Sequence, residues 1–181
     1  MNITVFLASS LGADPAIREA LTALAAWIGD RGHHLIYGGS RIGLMGVLAE
    51  TAKAHGARVT GIEPRFFVEA CVQFEGADEL IVTEGMADRK DKLIRMADAV
   101  VVFPGGAGTL EELGQTLSML NLGHASPLCV VYNVNGFYDP LRTLLDRMVS
   151  SGFYRAEQRE RVVFADTLDQ LAAAIEGRDP A

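Results

Sequence analysis

Short runs of continuously apolar residues recur along this chain, separated by segments of helical length, and that alternation constrains the fold more than any other feature. Residues 3–8, 34–37, 58–62, 79–83, 99–103, 127–133 and 162–164 read as strands. A run such as Val100-Val101-Val102-Phe103 does not alternate between a wet and a dry face, so its strand needs cover on both sides. Crossover helices above and below a parallel sheet supply that cover. The expected fold class is α/β, a doubly wound, mainly parallel sheet flanked by helices.

Helix signals agree. Asp14-Pro15 offers an N-cap followed by proline at the first helical position, Gly32 can end that helix, and Asp166 or Thr167 can cap a last one. With 181 residues, 49% of them hydrophobic, the chain can bury one substantial core. One domain spanning residues 1–181 is expected, with 176–181 as a frayed tail. The apolar runs fall far short of the roughly 20 residues that cross a bilayer. Residues 3–7 follow no basic region and precede no cleavage signal, which points to a cytoplasmic protein. A net charge of −7 argues against a broad nucleic-acid surface, because phosphate backbones are gripped by clustered Lys and Arg. Cys71 and Cys129 are far apart, lack metal-ligand spacing and read as two buried thiols.

Ligands of such sheets sit beyond the carboxyl ends of the strands, where helix N-termini present free N–H groups. Two strand ends carry glycine strings: Tyr37-Gly38-Gly39-Ser40-Arg41-Ile42-Gly43-Leu44-Met45-Gly46 and Pro104-Gly105-Gly106-Ala107-Gly108-Thr109-Leu110-Glu111-Glu112. Glycine is entropically unfavourable there, so a benefit should offset it: tight turning alone, or backbone N–H groups brought against a phosphate. Two strings in one sheet, both entering helices, favour the anion, with Thr109 adding a hydroxyl. Neither string is a P-loop, since GxxxxGK[ST] lacks its lysine here, and neither gives the dinucleotide fingerprint.

Glu112 stands three residues beyond Thr109, about 4.5 Å along a helix axis and roughly one sugar away from the phosphate. Helix capping is the competing account of Glu111 and Glu112. The segment 86–97 places Met86, Lys90, Leu93, Ile94 and Ala97 on one helical stripe with Arg89 at its edge. Cations on a core-facing stripe require an anion, either a phosphate or Glu112, unless their stems merely cover apolar surface. Lys92 and Arg95 read as a solvated face. The four histidines, His33, His34, His55 and His124, read as surface residues at helix ends or turns, and no metal site is expected.

At these residues the chain resembles the LONELY GUY (LOG) family of cytokinin riboside 5′-monophosphate phosphoribohydrolases. The resemblance rests on residues 37–46, on Arg89-Lys90, on the PGGxGTxxE string 104–112, and on Asn133-Val134-Asn135-Gly136-Phe137-Tyr138-Asp139-Pro140-Leu141. It implies a Rossmann-like homodimer without a cofactor, in which Arg89 and Glu112 are the catalytic pair. It also implies that a nucleoside 5′-monophosphate is held by Gly38, Gly39, Gly43, Met86, Lys90, Gly105, Gly106, Ala107, Gly108 and Thr109. Ser9 and Ser10 match a nucleotide-contacting loop. The label lysine decarboxylase, often attached to such sequences, finds no lysine-anchored cofactor site here. Four positions depart from the usual pattern: Ala8, Ser40, Ala87 and Glu63, the last interrupting a usually apolar strand end.

The reaction expected is hydrolysis of the N-glycosidic bond of cytokinin riboside 5′-monophosphate or AMP. Alternatives are a general nucleotide nucleosidase of salvage and a nucleotide-binding regulatory or carrier protein without chemistry. The group that assists the departing base is open, with Asp88 and Glu111 as candidates. The helix expected over 109–122 carries too many apolar groups for one face, which suits packing against a second subunit.

Overall fold

A computed structural model describes residues 1–125 and 127–177. Seven strands form one sheet in which every pairing is parallel: β1 (Asn2–Phe6), β2 (His34–Tyr37), β3 (Arg58–Pro64), β4 (Glu79–Thr83), β5 (Ala99–Val102), β6 (Leu128–Tyr132) and β7 (Val162–Ala165). Their order across the sheet is β4-β3-β2-β1-β5-β6-β7, so the direction of winding reverses between β1 and β5. The eight α-helices of the described residues are α1 (Pro15–Asp30), α2 (Gly43–Ala54), α3 (Arg65–Glu69), α4 (Met86–Arg95), α5 (Ala107–Leu122), α6 (Asp139–Ser150), α7 (Ala156–Arg159) and α8 (Leu168–Glu176), with a short 3-10 helix over Val134–Gly136.

The continuous apolar runs have the cover they require. Ile3, Val5, Leu35, Val101 and Val130 pack on one side of the sheet with α1, α2 and α8. Phe6, Ile36, Ile62, Val102 and Val131 pack on the other with α4, α5 and α6. Burial of each such side chain contributes about 1.5–3 kcal/mol, which makes these two layers the main source of stability. Helix α1 begins where its proline indicates, with the Asp14 carboxylate accepting from the N–H of Ala16, and Thr167 caps α8 in the same manner.

Several expectations are adjusted. Strand β3 runs two residues further than its apolar pattern, through Glu63 and Pro64, because both still pair with β4, at Val82 and Thr83. His34 starts β2, as the strand expected over 34–37 requires, but it is half-buried and no surface residue, with its ring nitrogens against Asn2 and Thr60. Cys129 is buried within β6, but Cys71 is exposed just after α3, with φ of 57°. Of the expected frayed tail, Glu176 closes α8 and Gly177 follows as its cap, while 178–181 lie outside the described residues.

The string Asn133–Leu141 acts as a brace. The Asn133 amide donates to Asp139 and Asp166, and its oxygen accepts from the Tyr138 backbone N–H. Tyr138 is thereby positioned to donate its hydroxyl to the Phe103 carbonyl at 2.9 Å, fixing the chain immediately before the second glycine string.

Candidate active site

The carboxyl ends of β1, β2, β3 and β5 open on a cleft of about 550 Å³, at the point where the winding reverses. That volume suits a small-molecule ligand. Helix α4 places Arg89 in its wall, and every nitrogen of the guanidinium is committed. Nε donates to the Ile62 carbonyl at 2.9 Å, Nη2 to the Gly38 carbonyl at 3.2 Å and Nη1 to Glu112 Oε1 at 3.2 Å. The two side chains are 9% and 12% exposed, so this ion pair is shielded in a way that a surface pair is not. Two fixed carbonyls hold the fork, and the fork holds the carboxylate. Burial lifts the Glu112 carboxyl above its usual range, and the charge and hydrogen bond of Arg89 oppose that rise. Removing either partner leaves an uncompensated charge, a change that typically costs about 3–5 kcal/mol when the pair is fully buried.

The two glycine strings are built differently. In the first, Gly38 and Gly39 are buried. A Cβ on Gly38 would collide with the Arg89 guanidinium, one on Gly39 with Glu63, and one on Gly43 with the Ser9 carbonyl. Its polar groups are satisfied locally: the Ile42 N–H donates to Ser40 Oγ at 3.1 Å, Arg41 N–H to the Val72 carbonyl, and Phe74 N–H to the Gly39 carbonyl. In the second string, Gly106, Ala107 and Gly108 are exposed, and a Cβ on Gly106 or Gly108 would meet nothing. Gly106 is the N-cap of α5 and provides no side chain to cap it. The first-turn amides of α5 therefore face the cleft with the positive end of the helix dipole. Thr109 is buried, and its side chain fills the place that a Cβ on Gly105 would take.

Of the residues singled out from the sequence, Ser9, Ser10, Gly38, Met86, Arg89 and Lys90 line the cleft, as do Gly106, Ala107, Gly108, Thr109 and Glu112. Gly39, Gly43 and Gly105 stand behind the lining and shape it. Lys90 is paired with the exposed carboxylate of Glu111, and Asp88 with Lys92. Of the two candidates for assisting the departing base, Asp88 is engaged outside the cleft, whereas Glu111 lines it and is paired there with Lys90.

Glu63, singled out from the sequence only as a departure from pattern, also lines the cleft. It is 1% exposed, and its Oε2 has no hydrogen-bond partner among the described residues. Burial pushes its carboxyl up to about 7, against the pull of the nearby Arg89 charge. A carboxyl at the end of an apolar strand, on the rim where ligands bind, was the available signal. Among the described residues no cluster of His, Cys, Asp and Glu is arranged to hold a metal ion, and no helix is long and apolar enough to cross a membrane.

Comparison with known proteins places the chain. Residues 45–175 match the family model described as "Possible lysine decarboxylase". The cytokinin riboside 5′-monophosphate phosphoribohydrolase LOG of Oryza sativa subsp. japonica is 35% identical over 176 residues, covering 97% of this chain and 72% of the relative. LOG2 of Arabidopsis thaliana, of the same activity by name, is 36% identical over 97% of this chain and 82% of its own. Among solved structures, the molybdenum cofactor carrier protein of Chlamydomonas reinhardtii superposes with a TM-score of 0.73 over 97% of this chain and 96% of its own. At 18% identity that likeness concerns the fold alone. The sequence relatives and the family model agree, and the chain belongs to the LOG family of cytokinin riboside 5′-monophosphate phosphoribohydrolases.

Proposed function

We propose that this protein hydrolyses the N-glycosidic bond of a nucleoside 5′-monophosphate, a cytokinin riboside 5′-monophosphate or AMP, releasing free base and ribose 5-phosphate. The observation that carries this reading is the shielded Arg89–Glu112 pair, one helical turn beyond the uncapped N-terminus of α5 in the same cleft. The relatives named for this activity support it.

The 5′-phosphate docks on the amides of Gly106, Ala107 and Gly108 and on the Thr109 hydroxyl, with Lys90 and the Ser9-Ser10 loop beside it. Glycines 38, 39, 43 and 105 make room for Arg89, Glu63, the Ser9 carbonyl and Thr109 around the cleft. The phosphate is remote from the reacting bond, so its binding energy positions the sugar without taking part in the chemistry. The ribose then lies against Glu112. As the bond to the base lengthens, positive charge develops on the sugar, and the carboxylate stabilises it or accepts a proton from the attacking water. Arg89 orients Glu112 and the ribose phosphate with a planar fork that lysine cannot reproduce. The base packs against apolar side chains of the lining, among them Ile42, Met45, Phe67, Val72 and Met86. The protein works in the cytoplasm as a homodimer, a reading supported by Leu110 and Leu122 of α5, which are 52% and 67% exposed.

Incubation with a panel of nucleoside monophosphates, followed by chromatography, is expected to show free base and ribose 5-phosphate. Glu112→Gln is expected to bind AMP with nearly unchanged affinity and to release no adenine. Full activity in that variant removes Glu112 from the mechanism, and no release from any nucleotide by the unaltered protein favours a carrier without chemistry.

A further inference from the structure

The site contains a second carboxyl for which the mechanism above has no use. Glu63 stands at the end of β3 in the cleft wall, next to Ile62, whose carbonyl anchors Arg89. Gly39, lacking a side chain, leaves the room that the Glu63 side chain fills. Arg89 treats the two carboxyls unequally: it hydrogen-bonds Glu112 and makes no hydrogen bond to Glu63, whose Oε2 is buried without a partner. A buried acid oxygen with nothing to bond is suited to a partner that arrives with the ligand. Glu63 lines the cleft together with the apolar side chains of Phe67, four residues further on in α3, and Val72, whereas Gly106, Ala107 and Gly108 line it from the start of α5.

We propose that Glu63 is the acid that protonates the departing base, an inference that rests on the nucleotide-hydrolase reading above. The C1′–N bond breaks and its electron pair stays on the base. The Glu63 hydroxyl proton passes to a ring nitrogen of the base, leaving a carboxylate near Arg89. A water oxygen bonds to C1′ and its proton passes to Glu112. Base and ribose 5-phosphate leave, and solvent removes the proton from Glu112 and returns one to Glu63. Two carboxyls lining one cleft, one hydrogen-bonded to an arginine and the other with a buried oxygen left free for a ligand, allow the division of labour this chemistry needs. The elevated carboxyl of Glu63 supports a proton donor at neutral pH. The charged and titratable groups around it are Arg89 of α4, Glu112 of α5 and Tyr37 of β2, with the Lys90–Glu111 pair further out along the cleft.

The test compares two substrates in Glu63→Gln. AMP loses a base that needs a proton, whereas 4-nitrophenyl ribofuranoside 5-phosphate loses a phenolate that does not. The variant is expected to lower kcat on AMP by about 100-fold or more, with KM within about threefold, and to keep its rate on the nitrophenyl substrate within about threefold. Equal losses on both substrates, a change in KM alone, or an unchanged kcat on AMP overturns the proposal. Should the variant not fold, the unaltered protein decides: kcat/KM for AMP is expected to fall as pH rises through about 7, with no such fall for the nitrophenyl substrate. The same fall for both substrates overturns the assignment. An unaltered protein that releases base from no nucleotide removes the hydrolase reading itself, which separates that failure from a failure of Glu63 alone.

Discussion

The two glycine strings look alike as text and differ as structure. The string after β2 is packed inward, with its missing side chains making room for Arg89, Glu63 and the Ser9 carbonyl. The string that opens α5 is bare, with exposed backbone and open space where side chains would stand. Glycine in the first is a packing device that allows Arg89 to be gripped by backbone. In the second it leaves the backbone uncovered. The same residue type therefore serves cohesion on one side of the cleft and open backbone on the other.

Substitutions can separate these roles. The largest effect is expected from Gly43→Ala, where φ is +60° and the new Cβ meets backbone: a loss of roughly 2–5 kcal/mol, read as a lower thermal midpoint. Next comes Glu63→Gln, beside the same packed string. Folding raises the Glu63 carboxyl from 4.5 to about 7, so ionising it works against the fold. The protein is fully stabilised below 4.5 and loses up to about 3 kcal/mol as pH rises through about 7. The amide variant escapes that loss, and its advantage in thermal midpoint over the unaltered protein should grow from pH 4 to pH 8. A constant difference across that range shows that the carboxyl is not suppressed by burial. The smallest effect on stability is expected from Gly108→Ala, a gain of about 0.5–1 kcal/mol from helix propensity, accompanied by a severalfold rise in KM for AMP. An unchanged KM there, or a Gly43→Ala protein that melts normally, dissolves the contrast between the two strings.

Much of this was legible in the residues themselves. Most strands announce themselves because strands covered on both faces need no alternation, and that pattern is local, while β4 at the exposed edge of the sheet is marked only by its short run Leu80-Ile81-Val82. Glu112 was legible from its offset of three residues from Thr109 in a recognisable string, and Arg89 from its place at the edge of a helical stripe over 86–97. What the string after β2 packs against was not legible, since contact among Gly38, Gly39, Arg89 and Glu63 joins β2, β3 and α4 and exists only after folding. Glu63 looked like an interruption for the same reason. Its neighbours along the chain are apolar, and its chemical surroundings come from elsewhere. His34 and Cys71 were misplaced because side-chain type is a weak guide to depth when a strand edge or a turn decides exposure.

The strand order also governs how the molecule comes into being. Ile3 of β1 lies beside Ala99 of β5, so the middle of the sheet cannot close until more than half of the chain has been made. At synthesis rates of about 5–20 residues per second, the first strand waits on the order of 5–20 s for one of its two neighbours. During that interval β1 to β4 can assemble as a half-sheet with β1 as a bare apolar border, the kind of edge that invites a stranger to add itself. A nascent chain stalled before Ala99 is therefore the form of this protein most in need of a chaperone.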